Sequence, residues 1–525
     1  MNNIKKWLVG ATASVVLLSA SSCKKLEDFG DTNVDPNGST QVLTSALLTN
    51  ILGNMYNIQN KLDAGYFAQY FAEPTYPGSS RYNQPKFNFS GYYSGVMMDA
   101  QVIINKNSDP ATAGLPTVGG NGANGSQIAI ATILKNYNMW LITDAWGDIP
   151  YSEALKGVGN LYPKYDEQFD VYKSIISELT TAVDQFDEAG LTMRGDISTY
   201  NGNVAQWRKL ANSIRMLAAL RLSKRFPNAG EYAATEFAAA LNSPYGHIET
   251  NADNFTLTFP GGNYRNPWFA TGGSSDNGVS RTYTDLLLGL GDSRINSHAS
   301  NTNGVPYGYE LPVPASGNWA KILAPQFREE TSPLVIINAA SVVLAKSEAA
   351  ERGWIAGDAK TWYDQGVALS FQQWNQALPG AYLTTGPANF NTGAGVACCL
   401  GANALIPGGT STPGASAPTP TALSRIMLQQ YIAFYPDGMQ GWANWRRSEN
   451  VLDGQTQPPA PEGPYSGVPN LKPTVFNTNS SGEIPRRFVY GTTEYSLNLS
   501  QLQLAIDRLA SGDDSQDERV WWDMP

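Results

Sequence analysis

The chain has 525 residues, a formal net charge of −10, and 15% charged and 11% aromatic residues. Because 45 acidic residues exceed 35 basic ones and no basic patch stands out, the sequence excludes nucleic acid as a partner. A composition poor in charge, with 13 Trp and 26 Tyr, favours an exported protein that binds uncharged polar ligands.

The N-terminus has the layout of a secretory signal, which predicts that residues 1–22 are a removable signal peptide. Lys5 and Lys6 precede an apolar run, residues 8–20, that is too short to span a bilayer as a permanent helix. Small residues then lead to Cys23, which predicts a lipoprotein acylated on that cysteine. An ordinary cleaved signal close to a cysteine is the alternative. Several acyl chains on Cys23 would hold the protein at the membrane surface.

Amphipathic stripes predict an all-α fold. Apolar side chains recur at spacings of three and four in four stretches, each marking one helical face: residues 130–141, 169–186, 207–221 and 423–434. Ser126 precedes the first stripe and is predicted to cap its helix. Strand-like alternation is rare, with residues 254–259 as the clearest example.

Two further helical segments within residues 335–374 resemble a tetratricopeptide hairpin. Small residues such as Ala345 and Gly366 would let the two backbones approach closely. We predict one domain over residues 23–525, a helical scaffold with inserted loops at about 109–125, 260–278, 377–420 and 453–473. Loops of this length on a rigid scaffold favour a binding function.

Sequence patterns for catalysis are lacking, so we predict a protein that is not an enzyme and that has neither a cofactor nor a metal site. The two histidines do not form an H-E-x-x-H motif, and nucleophile-elbow and phosphate-loop motifs are missing. Residues 31–42 resemble the start of a calcium loop but lack its required Gly and Glu. A glycosidase needs only two suitably placed carboxylates, so a surface glycoside hydrolase remains the enzymatic alternative.

Aromatic clusters in polar loops are the candidate ligand-binding residues. Aromatic faces stack on the C–H faces of sugar rings and also hold peptide side chains, although burial in the core is the alternative fate of each ring. The candidates lie in three loops: Tyr76, Arg81 and Tyr82; Tyr264, Trp268 and Phe269; and Tyr307, Tyr309 and Trp319.

Several segments, in the right order along the chain, resemble motifs of SusD/RagB-type surface lipoproteins. The most specific match ends in T-D-A-W-G-D-I-P-Y-S-E-A at residues 143–154. The others are residues 31–37, the helix at 344–349, the W-R-R segment at 445–447, and I-P-R-R at 484–487 with Glu494 and Tyr495. Arg446, Arg447, Arg486 and Arg487 are interpreted as buried pairing residues rather than ligand contacts.

The resemblance implies four tetratricopeptide-like helix pairs with irregular loops packed on one side. It also implies an outer-membrane lipoprotein that faces the exterior, captures oligosaccharide or oligopeptide nutrients, and passes them to a SusC-like TonB-dependent barrel. The family's ligand residues carry no motif, so none is transferred to this sequence. A tetratricopeptide scaffold that binds only proteins is the remaining alternative.

Overall fold

Helices carry most of the fold in the computed structural model of this chain, which describes residues 42–83, 86–308, 318–391, 421–448 and 484–524. All four predicted stripes lie on helices, and the all-α prediction is confirmed. Described helices of eight or more residues are α1 Thr44–Asn54, α2 Met98–Ser108, α3 Asn124–Trp146, α4 Gln168–Asp184, α5 Val204–Arg221, α6 Tyr232–Leu241, α7 Arg281–Leu290, α8 Ala339–Glu351, α9 Ala359–Gln373, α10 Ala422–Phe434, α11 Gly438–Ser448 and α12 Leu499–Ile506.

Helices that follow one another in the chain pack against each other. The contacts join α2 to α3, α3 to α4, α4 to α5, α5 to α6, α8 to α9, and α10 to α11, and α8 also packs on α5 and α10. In the predicted hairpin, a side chain at Gly366 would place its Cβ 2.7 Å from Leu344 Cγ, so the small residue sets the close approach of α9 to α8. The hairpin begins at Ala339, later than predicted, because Leu334–Ile337 is a strand.

Strands are short and form four two-stranded pairs within the described residues. β1 Phe71–Ala72 pairs with β6 Gly278–Val279, and β3 Ile149–Pro150 pairs with β4 Tyr165–Asp166, both antiparallel. β2 Lys86–Phe87 runs parallel to β8 Val489–Tyr490, and β5 Phe255–Leu257 lies antiparallel to β7 Leu334–Ile337. β5 falls within the alternating segment 254–259, which confirms that expectation.

Polar side chains cap the N-termini of several helices, but the cap predicted for α3 is absent. The side chains of Asn203, Asn338 and Asp358 accept backbone N–H groups at the starts of α5, α8 and α9. Ser126 was predicted to cap α3, and this is wrong. It lies inside the first turn, and its hydroxyl accepts the backbone N–H of Asp187 at 3.1 Å.

Buried arginines tie the family-like motifs to one another. Arg446 donates to the carbonyl oxygens of Asp144 and Arg486 at 3.0 and 2.7 Å, and its guanidinium lies 3.7 Å from the Trp442 ring centroid. Arg487 donates to the carbonyl oxygen of Trp146 at 3.2 Å. These arginines are almost fully buried, so their interpretation as structural pairing residues is confirmed.

Several predicted features lie outside the described residues. They are the signal peptide at 1–22, the lipidation candidate Cys23, the loop 453–473, and all but the first part of the loop 377–420. Across the described part of the chain, each helix is too short or too polar to cross a membrane.

Candidate functional site

The three aromatic loops predicted from the sequence begin or end at one small hydrogen-bonded ladder. β1 pairs with β6, and the backbone N–H of Val279 donates to the Ala320 carbonyl at 2.8 Å. Val305 in turn donates to the Val279 carbonyl at 2.8 Å. The ladder therefore gathers three segments that are far apart in sequence. We call these three segments the loop face: residues 73–83, residues 260–277, and the described parts of the third loop, 300–308 and 318–321.

Aromatic rings protrude from two of these loops. Tyr76 is 68% exposed, Tyr264 is 55% exposed and Phe269 is 38% exposed. Such exposed fractions are high for aromatic residues of a folded domain, because burying a large aromatic side chain usually stabilises the fold. These three candidates are available for contact with a ligand.

Three other candidates are core residues, and the structure corrects them. Tyr82 is fully buried, and its ring packs edge-on against Phe67 with centroids 5.7 Å apart. Trp268 packs on Phe71 at 5.5 Å, and the buried Tyr307 donates its hydroxyl to the Tyr66 carbonyl at 2.6 Å. All three contact residues 66–71, which lead into β1. Their rings therefore pack in the core beneath the loop face and are shielded from solvent.

The remaining candidates have intermediate positions or are not described. Arg81 is half-buried, and Trp319 is half-buried against the hydrophobic core. Tyr309 lies outside the described residues. The side chains of Arg81 and Trp319 are therefore partly exposed.

A polar cluster includes Glu73, three residues before Tyr76 in the same loop. The Tyr66 hydroxyl is hydrogen-bonded to Glu73 at 3.2 Å and also to Asn277, which joins the first loop to the second. Burial raises the pKa of Tyr66 and the Glu73 carboxylate raises it further, so the phenol remains a donor. Burial also raises the pKa of Glu73, although hydrogen bonds from Ser79 and Tyr66 oppose that shift. The cluster therefore places a carboxylate and an amide group in the two loops that carry the exposed rings.

A tight turn in the second loop positions Tyr264, close in sequence to the other exposed ring, Phe269. Gly261 and Tyr264 exchange backbone hydrogen bonds of 3.0 and 3.3 Å, and Gly261 and Gly262 adopt positive φ values of 90° and 66°. Arg265 lies 5.3 Å from the Phe269 ring centroid and 3.8 Å from Glu330. The turn thus presents Tyr264 while Arg265 supports the neighbouring ring.

Sequence reasoning missed Glu73 and Asn277 in this site. Neither belongs to a motif, and their partner Tyr66 is seven residues from one and 211 residues from the other. The only local signal is the position of Glu73 three residues before Tyr76. Within the described residues, His, Cys, Asp and Glu side chains do not gather into a group of three or more suited to a metal ion.

A sequence model of the SusD-like family, described as starch-binding and associating with the outer membrane, matches residues 36–491. A search of curated protein sequences found no match.

Solved structures of similar architecture cover nearly the whole chain. A chitin-binding SusD homologue from Flavobacterium johnsoniae has 24% identity and a TM-score of 0.72, over 92% of this chain and 98% of its own. A SusD homologue from Bacteroides uniformis has 25% identity and the same TM-score, over 92% and 99% of the two chains. A SusD-like protein from Bacteroides thetaiotaomicron has 22% identity and a TM-score of 0.68, over 91% and 99%. With a family match over most of its length and the same helical fold, this chain belongs to the SusD-like family.

Proposed function

We propose that the loop face binds oligosaccharides and that the protein does not cleave them. The observation that carries the proposal is the convergence of the three loops on one ladder, with Tyr76, Tyr264 and Phe269 exposed. Exposed rings supply flat apolar surfaces for stacking on sugars, and the carboxylate and amide of Glu73 and Asn277 supply hydrogen bonds to hydroxyl groups.

The comparisons support carbohydrate as the ligand class. The family is described as starch-binding, and the Flavobacterium johnsoniae neighbour is described as chitin-binding. The low charge of the chain also suits a neutral glycan better than a charged polymer. An oligopeptide is the alternative cargo, because the same rings would hold peptide side chains.

Replacing Tyr76 with alanine tests the loop face directly. We expect the affinity for maltohexaose or chitohexaose, measured by isothermal titration calorimetry, to fall about tenfold, since exposed aromatic anchors commonly contribute more than 1 kcal/mol. Tyr162→Ala is the matched control, because Tyr162 is 62% exposed but lies outside the loop face. Equal affinities for wild type and Tyr76→Ala would contradict the assignment, and binding of a casein digest alone would favour peptide cargo.

We expect the protein to bind oligosaccharides without cleaving them, and an incubation assay distinguishes this from a glycoside hydrolase. Wild-type protein incubated with the same hexasaccharides should leave them intact, as measured by mass spectrometry and by the number of reducing ends. Shorter products that vanish when one acidic pair is replaced would support a glycosidase. A tight complex with protein partners, without affinity for glycan or peptide, would support the protein-only scaffold.

We further propose that Cys23 is lipidated, that the protein faces the cell exterior, and that it delivers its cargo to a SusC-like TonB-dependent outer-membrane barrel. The support is the association with the outer membrane in the family description, together with the lipoprotein pattern of residues 1–23. A lipid anchor suits a chain whose described helices do not span a membrane.

Replacing Cys23 with alanine tests the anchor. We expect the variant to leave the outer-membrane fraction and to accumulate as soluble protein, because the acyl chains would provide the membrane affinity. Immunoblots of the fractions and mass spectrometry of the mature N-terminus measure this. Ser22→Ala is the control that keeps the cysteine. Unchanged membrane association of Cys23→Ala would contradict lipid anchoring, and a barrel co-purifying with the wild type would support the transporter partner.

A further inference from the structure

A cavity of about 220 Å³ lies among the helices and shares no residue with the loop face. Its walls come from β7, from the end of α9, and from the junction of α10 with α11. The residues Gln59 and Asn60 close another side, and the exposed residues Pro333 and Asn375 lie at its rim. The cavity is therefore separate from the loop face and is reached from solvent at this rim.

Several residues that line this cavity hold buried polar atoms without hydrogen-bond partners. Gln59, Gln440 and Trp374 are each at most 6% exposed, yet Gln59 Oε1, Gln440 Nε2 and Trp374 Nε1 have no hydrogen-bond partner among the described residues. The same holds for Asn60 Nδ2 and Gln373 Oε1. A buried polar atom without a partner costs free energy, so such atoms indicate an occupant with hydrogen-bonding groups. Donors and acceptors are both present, which matches hydroxyl groups, since each hydroxyl donates and accepts.

Aromatic and aliphatic side chains form the rest of the walls. The rings of Phe327 and Trp374 lie 5.1 Å apart, and Tyr435 and Leu334 add apolar surface. Asp437 is the one carboxylic acid among the described residues that line the cavity, and burial raises its pKa to about 7, whereas Lys, Arg, Glu and His do not line it. Below pH 7 this carboxyl group is mostly protonated, so a charged ligand would lose its hydration here without gaining a charged partner, and the lining favours a neutral molecule.

We propose that this cavity binds one neutral, hydroxyl-rich molecule of monosaccharide size, at a site separate from the loop face. A cavity of roughly 150 Å³ holds a six-membered ring such as benzene, so about 220 Å³ has room for such a ring with its hydroxyl groups. An oligosaccharide chain exceeds this volume. The amides bind the hydroxyls, and the rings of Trp374 and Phe327 contact the apolar face of the sugar.

Titration of the full chain with D-glucose and N-acetyl-D-glucosamine tests the proposal, with saturation-transfer NMR as the readout. We expect Val335→Phe, which fills the cavity from β7, to weaken binding of at least one sugar by about tenfold or more. Val158→Phe is the matched control, because Val158 is 95% exposed and is not among the residues that line the cavity. Tyr76→Ala should leave monosaccharide binding unchanged, which separates this site from the proposed oligosaccharide surface.

A second variant keeps the test decisive if Val335→Phe fails to fold. Gln373 is half-buried, so Gln373→Leu should preserve the fold, as checked by circular dichroism, and should weaken binding about fivefold, the size of one neutral hydrogen bond. Absence of binding of both monosaccharides to wild type, or equal binding by the cavity variants, would overturn the proposal and leave water as the occupant.

Discussion

Replacing Glu348 with alanine is expected to lower the free energy of unfolding by about 3–5 kcal/mol, the range found when one member of a buried ion pair is removed. The Glu348 side chain is fully buried at the centre of the helix pairs. It accepts hydrogen bonds from Arg447 Nη2, Arg352 Nε and Gln430 Nε2, each at 2.8 Å, and a further bond from Arg447 Nη1. This one carboxylate therefore joins α8 to α10 and α11.

Glu348→Ala should lower the free energy of unfolding because it leaves buried guanidinium groups without their acidic partner. Burial by itself raises the pKa of Glu348, but Arg447 and then Arg352 outweigh it and lower the pKa to about 2. Without the carboxylate, two guanidinium groups whose side chains are at most 7% exposed would lack their acidic partner. The loss should therefore exceed that of an ordinary cavity-forming substitution.

Chemical denaturation monitored by tryptophan fluorescence measures the effect of Glu348→Ala. Glu351→Ala is the matched control, because Glu351 lies three residues later on the same helix and is exposed. We expect the control to change the free energy of unfolding by less than about 0.5 kcal/mol. Similar values for both variants would show that the ion pair contributes little.

Replacing Asp437 with asparagine is expected to stabilise the protein at alkaline pH, and this stabilisation should decrease as the pH falls from about 7 towards 4. Asp437 lies directly before α11, and burial raises its pKa to about 7, although backbone N–H groups of Gln440 and Met439 oppose the shift. A carboxyl group whose pKa is higher in the folded state favours folding while it is protonated. Its contribution is present below the unfolded pKa and is lost as the pH rises through about 7.

The magnitude follows from the difference between the folded and unfolded pKa values, about 7 against the ordinary 3.8. Between about pH 5 and 8.5 the wild type should lose roughly 3 kcal/mol of stability through this group. Asparagine does not titrate, and it retains an oxygen that accepts the Gln440 N–H. The variant should therefore not show this pH-dependent loss of stability.

Urea denaturation of wild type and Asp437→Asn measures the difference in their free energies of unfolding at each pH. Burial lowers the pKa values of His247 and His298, which works in the opposite direction below about pH 6.5. Both histidines are present in each protein, so their effect cancels in the difference. A difference that stays constant from pH 5 to 8.5 would contradict a pKa near 7 for Asp437.

The sequence alone determined the helical scaffold and its family. Hydrophobic spacing is a local property of a helix, so the stripes at residues 130–141 and 169–186 identified α3 and α4 before any tertiary contact was known. The close approach at Gly366 and the buried roles of Arg446 and Arg487 followed from residue type and motif in the same way.

Only the tertiary structure decided which aromatic residues face a ligand. Tyr76 and Tyr82 lie in the same polar segment, yet one ring is 68% exposed and the other is fully buried. The difference arises because β1 pairs with β6, more than 200 residues away, and the rings beneath that ladder fill the space it encloses. The cavity beside Trp374 and the Tyr66, Glu73 and Asn277 cluster depend on contacts of the same long range. Burial is set by packing between distant segments, and periodicity along the chain does not encode it.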